Sequence, residues 1–257
     1  KNAKENIIKL NRILAQGGLT HGMTLSVQSL NPDTLQAIDR DNMEINNLNK
    51  MYSLLNFENL PYYTEFIIGL PEETIDSFCD NICAVIDLGC NHRIDVYPFE
   101  IMENSPVAGQ LAQYNIKTFR YATYSDVVTE YSNIVWQTGT MTDDDIVICW
   151  TWSWFINTLH YNNITKDKFL KSGVTAKEFY TDLYRAFVND PVLSKPIKQK
   201  QQQYRASYQD NLPDTTIHFS LDIQCDWSTE YYTKHQRRIE KFITLMFMEQ
   251  SSPAEYH

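Results

Sequence analysis

Apolar residues fall into two periods along this chain, and over the first hundred residues the two alternate. Ile7, Ile8, Leu10, Ile13 and Leu14 recur at helical spacing, so residues 5–16 are predicted as a helix stopped by Gly17 and Gly18. Residues 23–28 (MTLSVQ) form a short run of strand character. Asn31-Pro32-Asp33 is a helix-start signal, with proline near the first helical position, and opens a short helix to about Asp39. Residues 45–57 read as a second helical stretch. Residues 62–68 (YYTEFII) are aromatic and β-branched, hence a strand, ending at Gly69-Leu70-Pro71. Residues 74–88 are predicted helical up to Gly89, and residues 94–99 (IDVYPF) are a third strand.

Strand, helix, strand, helix, strand at this spacing predicts an α/β fold of parallel βα units. Both a partial barrel and an open doubly wound sheet fit the pattern, and in either one ligands sit at the carboxyl ends of the strands. After about Phe119 the texture changes. Residues 126–136, 143–161, 176–188 and 229–248 are predicted helical, and Thr142 followed by Asp143, Asp144 and Asp145 sets a capping residue and acids at a helix start. Residues 215–224 alternate polar and apolar and suit a strand, while residues 195–211 suit a loop or an exposed helix. A division near residues 118–125 separates an α/β part, residues 1–120, from a mainly helical region, residues 121–257.

Composition adds limits rather than identity. The 257 residues suffice for a sizeable core, and 43% hydrophobic with 21% charged is ordinary for a globular chain. A net charge of −10 argues against a nucleic-acid partner, because phosphate binding needs a basic footprint. The basic candidates, Lys195 to Lys200 with Arg205, and Arg237 with Arg238, are expected on solvated faces. No stretch reaches the ~18 consecutive apolar residues that a membrane span needs, and residues 1–12 do not read as a signal peptide. With no initiator Met and a helix already under way, residues upstream of Lys1 are expected. Five cysteines, an odd number, point to a reducing cytoplasm rather than a disulfide scaffold. Cys79, Cys83 and Cys90 are expected as small core residues around one amphipathic helix. Trp150, Trp152, Trp154 and Phe155 suit a helix buried all round, and His160 is not placed in a site.

Three segments carry a family likeness: LSVQSLNPDTLQAIDR over residues 25–40, TEFIIGLPEET over 64–74 and VYPFEIMENSP over 96–106. Together they resemble the fourth, fifth and sixth strands of the partial barrel of radical S-adenosylmethionine (SAM) enzymes, with the loops that follow. The likeness covers roughly residues 1–110 and implies a partial, TIM-like barrel. It also implies a SAM site. Arg40 would approach the methionyl carboxylate, for which a planar guanidinium offers paired donors. Gln28 would serve ribose hydroxyls or the amino-acid part, and Glu65 the ribose diol. Ile67 would pack on adenine, Gly69 would allow a tight backbone exit, Glu72 would brace the loop, and Tyr97 and Phe99 would contact adenine by backbone bonds or stacking. The family often has glycine before the final Glu-Thr, where this chain has Glu72. Each residue also has a plain structural reading: Gln28 at a strand end, Arg40 at a helix terminus, Glu65 paired with a neighbouring strand.

The family's cysteine triplet, with three and then two intervening residues, is missing. Cys79 and Cys83 have the first spacing, but Cys90 falls too late. The resemblance therefore implies a part of a radical SAM enzyme that by itself does not cleave SAM reductively, the 4Fe–4S cluster belonging to the parent protein. The Asn104-Ser105-Pro106 run and the later Lys177 to Tyr180 segment resemble the helical extension of the cobalamin-binding class, which implies cobalamin in the parent and an electron donor such as flavodoxin or ferredoxin. The substrate is not readable. Two other functions stay open: a non-catalytic α/β domain that binds a nucleotide or a protein, and a different barrel enzyme with Glu65, Asp95 and Glu100 as acid–base groups.

Overall fold

Strands and helices alternate through the first hundred residues of the computed structural model, which describes residues 5–20, 22–124, 129–209 and 228–248. Helix α1 (Glu5–Gln16) leads into strand β1 (Met23–Gln28). The short helix α2 (Pro32–Ala37) is capped by Asn31, whose side chain accepts from the Asp33 N–H. Then follow α3 (Ile45–Phe57), β2 (Tyr62–Ile68), α4 (Ile75–Asp87) and β3 (Ile94–Pro98). Thr74 and Ser77 form a reciprocal capping box at the start of α4.

The three strands pair in parallel in the order β1-β2-β3, so the βα reading of the first half holds. Side chains alternate across the sheet. Leu25 and Val27, Tyr62, Thr64, Phe66 and Ile68, and Ile94 and Val96 are buried on one face. Helix α5 (Asp143–Ile156) packs against β2 and β3 there, with α4 beside it. The opposite face carries Ser26, Glu65, Ile67, Asp95 and Tyr97.

Beyond β3 the chain departs from expectation. Of the helix expected at residues 126–136, the described part, residues 129–136, is strand instead. Strand β6 (Thr129–Gln137) pairs antiparallel with β5 (Lys117–Tyr124), and β4 (Glu100–Ile101) joins the other edge of β6. Tyr131, Ile134, Val135 and Trp136 are residues that favour a pleated, half-buried surface, and the facing strand satisfies their backbone. A 3₁₀ turn, Pro106–Gly109, lies between β4 and β5. The small second core of Ile101, Val107, Ile116 and Val135 sits under this sheet.

Helix α5 is buried on every side, as its sequence suggested. Its Thr151 and Ser153 hydroxyls bond the carbonyls of Val147 and Cys149 one turn back, so the polar groups need no other partner. It runs into a π turn, Asn157–Tyr161. Helices α6 (Lys166–Ser172), α7 (Ala176–Asn189), α8 (Ser194–Gln209), α9 (Ser228–Lys234) and α10 (Gln236–Ile243) follow, with a last π turn at Thr244–Met248. Helix α8 takes the helical of the two forms its composition allowed, with Lys195, Lys198, Gln199 and Gln202 exposed, but its other side is buried. Ile197, Lys200 and Tyr204 are buried, and Tyr204 stacks on Trp150 at 5.7 Å. Lys195, Lys198, Arg237 and Arg238 are exposed, as expected of solvated faces; Arg205 pairs with the exposed Asp144, and Arg238 pairs with the buried Asp190. The main core is continuous from Ile8 to Ile243 and joins sheet to helices. The strand expected at residues 215–224 lies outside the described residues. Among the described residues, no helix is long and apolar enough to cross a membrane.

Candidate functional site

Parallel register brings residues far apart in sequence into one row. Ser26 faces Glu65 across β1 and β2, and Glu65 faces Asp95 across β2 and β3. One step toward the carboxyl ends of the strands, Ile67 faces Tyr97. Because strand side chains alternate, these residues stand on the same face. Of the sequence-selected residues, Glu65, Ile67 and Tyr97 are thereby brought together.

Ser26 links the rest. Its hydroxyl donates to Glu65 Oε2 at 2.5 Å, and its carbonyl accepts from Arg40 Nη2 at 2.5 Å. Arg40 Nε also donates to Asn42 Oδ1 at 2.9 Å. Asn42 in turn donates to the carbonyls of Val27 and Ser29, at 2.8 and 2.6 Å. Arg40 is therefore tied to the carboxyl end of β1 through two of its five donors. Partial burial pulls its guanidinium below its ordinary value, yet an arginine so far above neutrality stays cationic. Gln28 ends β1 with a left-handed backbone, φ 63°, just past a break in the β1–β2 register. That conformation is uncommon for a residue with a side chain and sets the chain's exit from the strand.

Gly69 ends β2 with φ 91°, and a Cβ there would meet Val135 Cγ1 at 3.3 Å. The glycine is needed both for the turn and for close approach of β6. Phe99 has its N–H on the Ile68 carbonyl and its carbonyl on the Val135 N–H, at 2.8 and 2.9 Å. Its ring packs on the second core. Its backbone thus stitches the two sheets together, and the ring is what it can offer a ligand. Tyr97 is 37% exposed. Burial, then the Asp95 and Glu65 carboxylates, push its phenol up. Asp95 is buried, which pushes its carboxyl up, and Arg93 opposes this from 3.0 Å. Asp95 and Glu65 are neighbours on one sheet, whereas Glu100 lies on β4 in the other.

The loop brace is Glu73, not Glu72. Glu72 is exposed, whereas Glu73 is fully buried and accepts from Ser29, Ser77 and Asn81. Sequence reading also missed Ser26 and Asn42. Their only signal was position: Ser26 two residues before Gln28, Asn42 two after Arg40. A cavity of about 240 Å³ runs along β1, lined mostly by apolar residues such as Leu25, Val27, Met43 and Leu48, with Ser26 and Asn42 at its wall; Arg40, Glu65, Ile67 and Tyr97 do not line it.

Cys79, Cys83 and Cys90 do not form a metal-binding group. Cys83 and Cys90 are buried and Cys79 partly so, and burial pushes all three thiols up. Among the described residues, no three of His, Cys, Asp or Glu are placed to hold a metal ion. His160 bonds the Tyr180 hydroxyl at 2.6 Å in the helical core, away from the strand ends.

No family model matches the chain. It is similar to two curated proteins. One is a 2-(S-pantetheinyl)-carbapenam-3-carboxylate methyltransferase of Streptantibioticus cattleyicolor, 32% identical over 174 residues, 65% of this chain. The other is the cobalamin-dependent radical SAM methyltransferase TokK of Streptomyces tokunonensis, 30% identical over 203 residues, 74% of this chain. The chain spans 26% and 30% of their respective lengths. The likeness read from the strand-end motifs is thus matched by a relative named as a cobalamin-dependent radical SAM enzyme, and both relatives are named as methyltransferases.

Proposed function

Taking that likeness as premise, we propose that this chain is part of a radical SAM methyltransferase of the cobalamin-dependent class, and that its open sheet face holds SAM. The observation that carries this reading is the Ser26 bridge. It sets the Arg40 guanidinium and the Glu65 carboxylate on either side of one residue at the carboxyl end of a parallel strand, where α/β folds bind ligands. The donor set fits SAM. Arg40 offers its remaining N–H groups to the methionyl carboxylate, Glu65 accepts from the ribose diol, and Gln28 serves the ribose or the amino-acid part. Ile67, Tyr97 and the Phe99 ring form the wall for adenine, with Gly69 letting the backbone approach.

In this reading residues 1–120 belong to a partial, TIM-like barrel and residues 121–257 to its extension. When bound, SAM supplies a transferable methyl group. The chain's own residues bind and orient it. The described cysteines do not fit a 4Fe–4S cluster, and the cluster is assigned to the parent protein, as are cobalamin and docking of an electron donor such as flavodoxin or ferredoxin, in the cytoplasm. Both relatives are methyltransferases by name, which supports methyl transfer as the reaction class. The substrate is left open.

Calorimetric titration of the chain with SAM tests the site. Arg40→Ala removes charge-assisted bonds and should weaken binding by about tenfold or more. Lys177→Ala, on the far side of the fold, should not. Equal affinities for wild type and Arg40→Ala would sink the assignment.

A further inference from the structure

The two loops that leave β1 and β2 are joined by one buried carboxyl group. Glu73 is 0% exposed. Its Oε2 accepts from the Ser29 hydroxyl, in the loop after β1, and from Asn81 Nδ2 on α4 at 3.4 Å. Its Oε1 accepts from Ser77 at the first turn of α4. Asn81 also donates to Ser29 Oγ at 3.1 Å, so Ser29 is held from two sides. Ser29 Oγ accepts the Asn31 N–H at 3.0 Å, and Asn31 caps α2, the helix that leads to Arg40. The Glu73 carbonyl accepts from Thr140 Oγ1, which ties in the loop before α5.

A carboxyl group out of water is costly unless its lone pairs are filled, and here three donors fill them, one from the loop after β1 and two from α4. A strand-to-helix turn needs no such group, since Thr74 and Ser77 already cap α4. What the Glu73 carboxyl adds is a link across 44 positions of sequence to the segment beside Gln28. We propose that Glu73 is a positioning residue: through Ser29 it fixes the exit of β1, with Gln28 and Arg40, relative to the exit of β2, with Gly69. Its effect on affinity rests on the reading that this face holds SAM; its effect on the loops does not.

The test is hydrogen exchange together with SAM titration on the full chain. Glu73→Ala should speed exchange in residues 28–31 as well as 69–74 and weaken SAM binding by about tenfold, the scale of a lost buried charged bond. Glu73→Gln, which keeps the shape and an acceptor, should stay within about threefold of wild type. Faster exchange in residues 69–74 alone, or unchanged affinity in a folded Glu73→Ala protein, overturns the proposal. If Glu73→Ala does not fold, Ser29→Ala probes the same link from the other loop. Faster exchange in residues 69–74 then supports the link, and unchanged exchange there overturns it. If wild type fails to bind SAM, the proposed ligand falls, and exchange still decides whether Glu73 joins the loops.

Discussion

Glu72 is an exposed side chain on a backbone at φ 63°, a conformation that glycine adopts without a steric penalty. Its carbonyl accepts from Asn31, a contact that does not depend on the side chain. The family pattern often has glycine at this place, and the backbone supplies the reason. Replacing Glu72 by glycine should therefore stabilise the protein by about 0.5–1 kcal/mol, the strain relieved exceeding the entropy glycine adds to the unfolded chain. Urea unfolding of Glu72→Gly beside Glu72→Ala checks this. The alanine variant keeps the strain and should gain nothing. The neighbouring residue shows the limit of motif reading at this scale: Glu72 and Glu73 look equivalent in sequence, and burial separates them.

At the scale of elements, the exit of β2 depends on a contact that no local pattern reveals. Gly69 faces Val135 of β6, 66 positions away. Gly69→Ala should cost about 1–3 kcal/mol, because it adds strain at φ 91° and crowds the valine. Adding Val135→Ala should recover none of the strain and only the crowding, so the pair should remain less stable than Val135→Ala alone. Denaturant melts of the four proteins, read as a double-mutant cycle, separate the two causes. The β5–β6 hairpin is also where reading by period failed. Polar positions in residues 126–136 fit a helical face, and pairing with β5 outweighed that pattern. The first three strands were readable because each apolar run was short and bounded by Gly or Pro signals.

For the whole molecule, the continuous core makes acid sensitivity a global property. His160 is 2% exposed and bonded to Tyr180. Burial first, and then the Lys166 charge, push its imidazole down to about 3. An unfolded histidine titrates near 6.5. Between those values the unfolded chain binds a proton that the folded chain refuses, so stability falls as pH drops through this window. At pH 5 the loss attributable to His160 is about 2 kcal/mol relative to pH 7. In His160→Gln, which does not titrate, the fall in urea stability from pH 7 to pH 5 should be smaller by about that amount. An equal fall in both proteins would assign the acid response to other groups.

The sequence by itself determined the parallel βα pattern, the bounds of β2 and α3, the burial of the tryptophan-rich helix and the family likeness, because these rest on local periodicity and short-range turn chemistry. Only the tertiary structure decided that Ser26 bridges Arg40 and Glu65, that Glu73 rather than Glu72 fastens the loops, and that residues 129–137 pair as a strand. Each of these depends on register or burial between segments distant along the chain. Such contacts are set by how the sheets and helices pack, and no period within one segment encodes them.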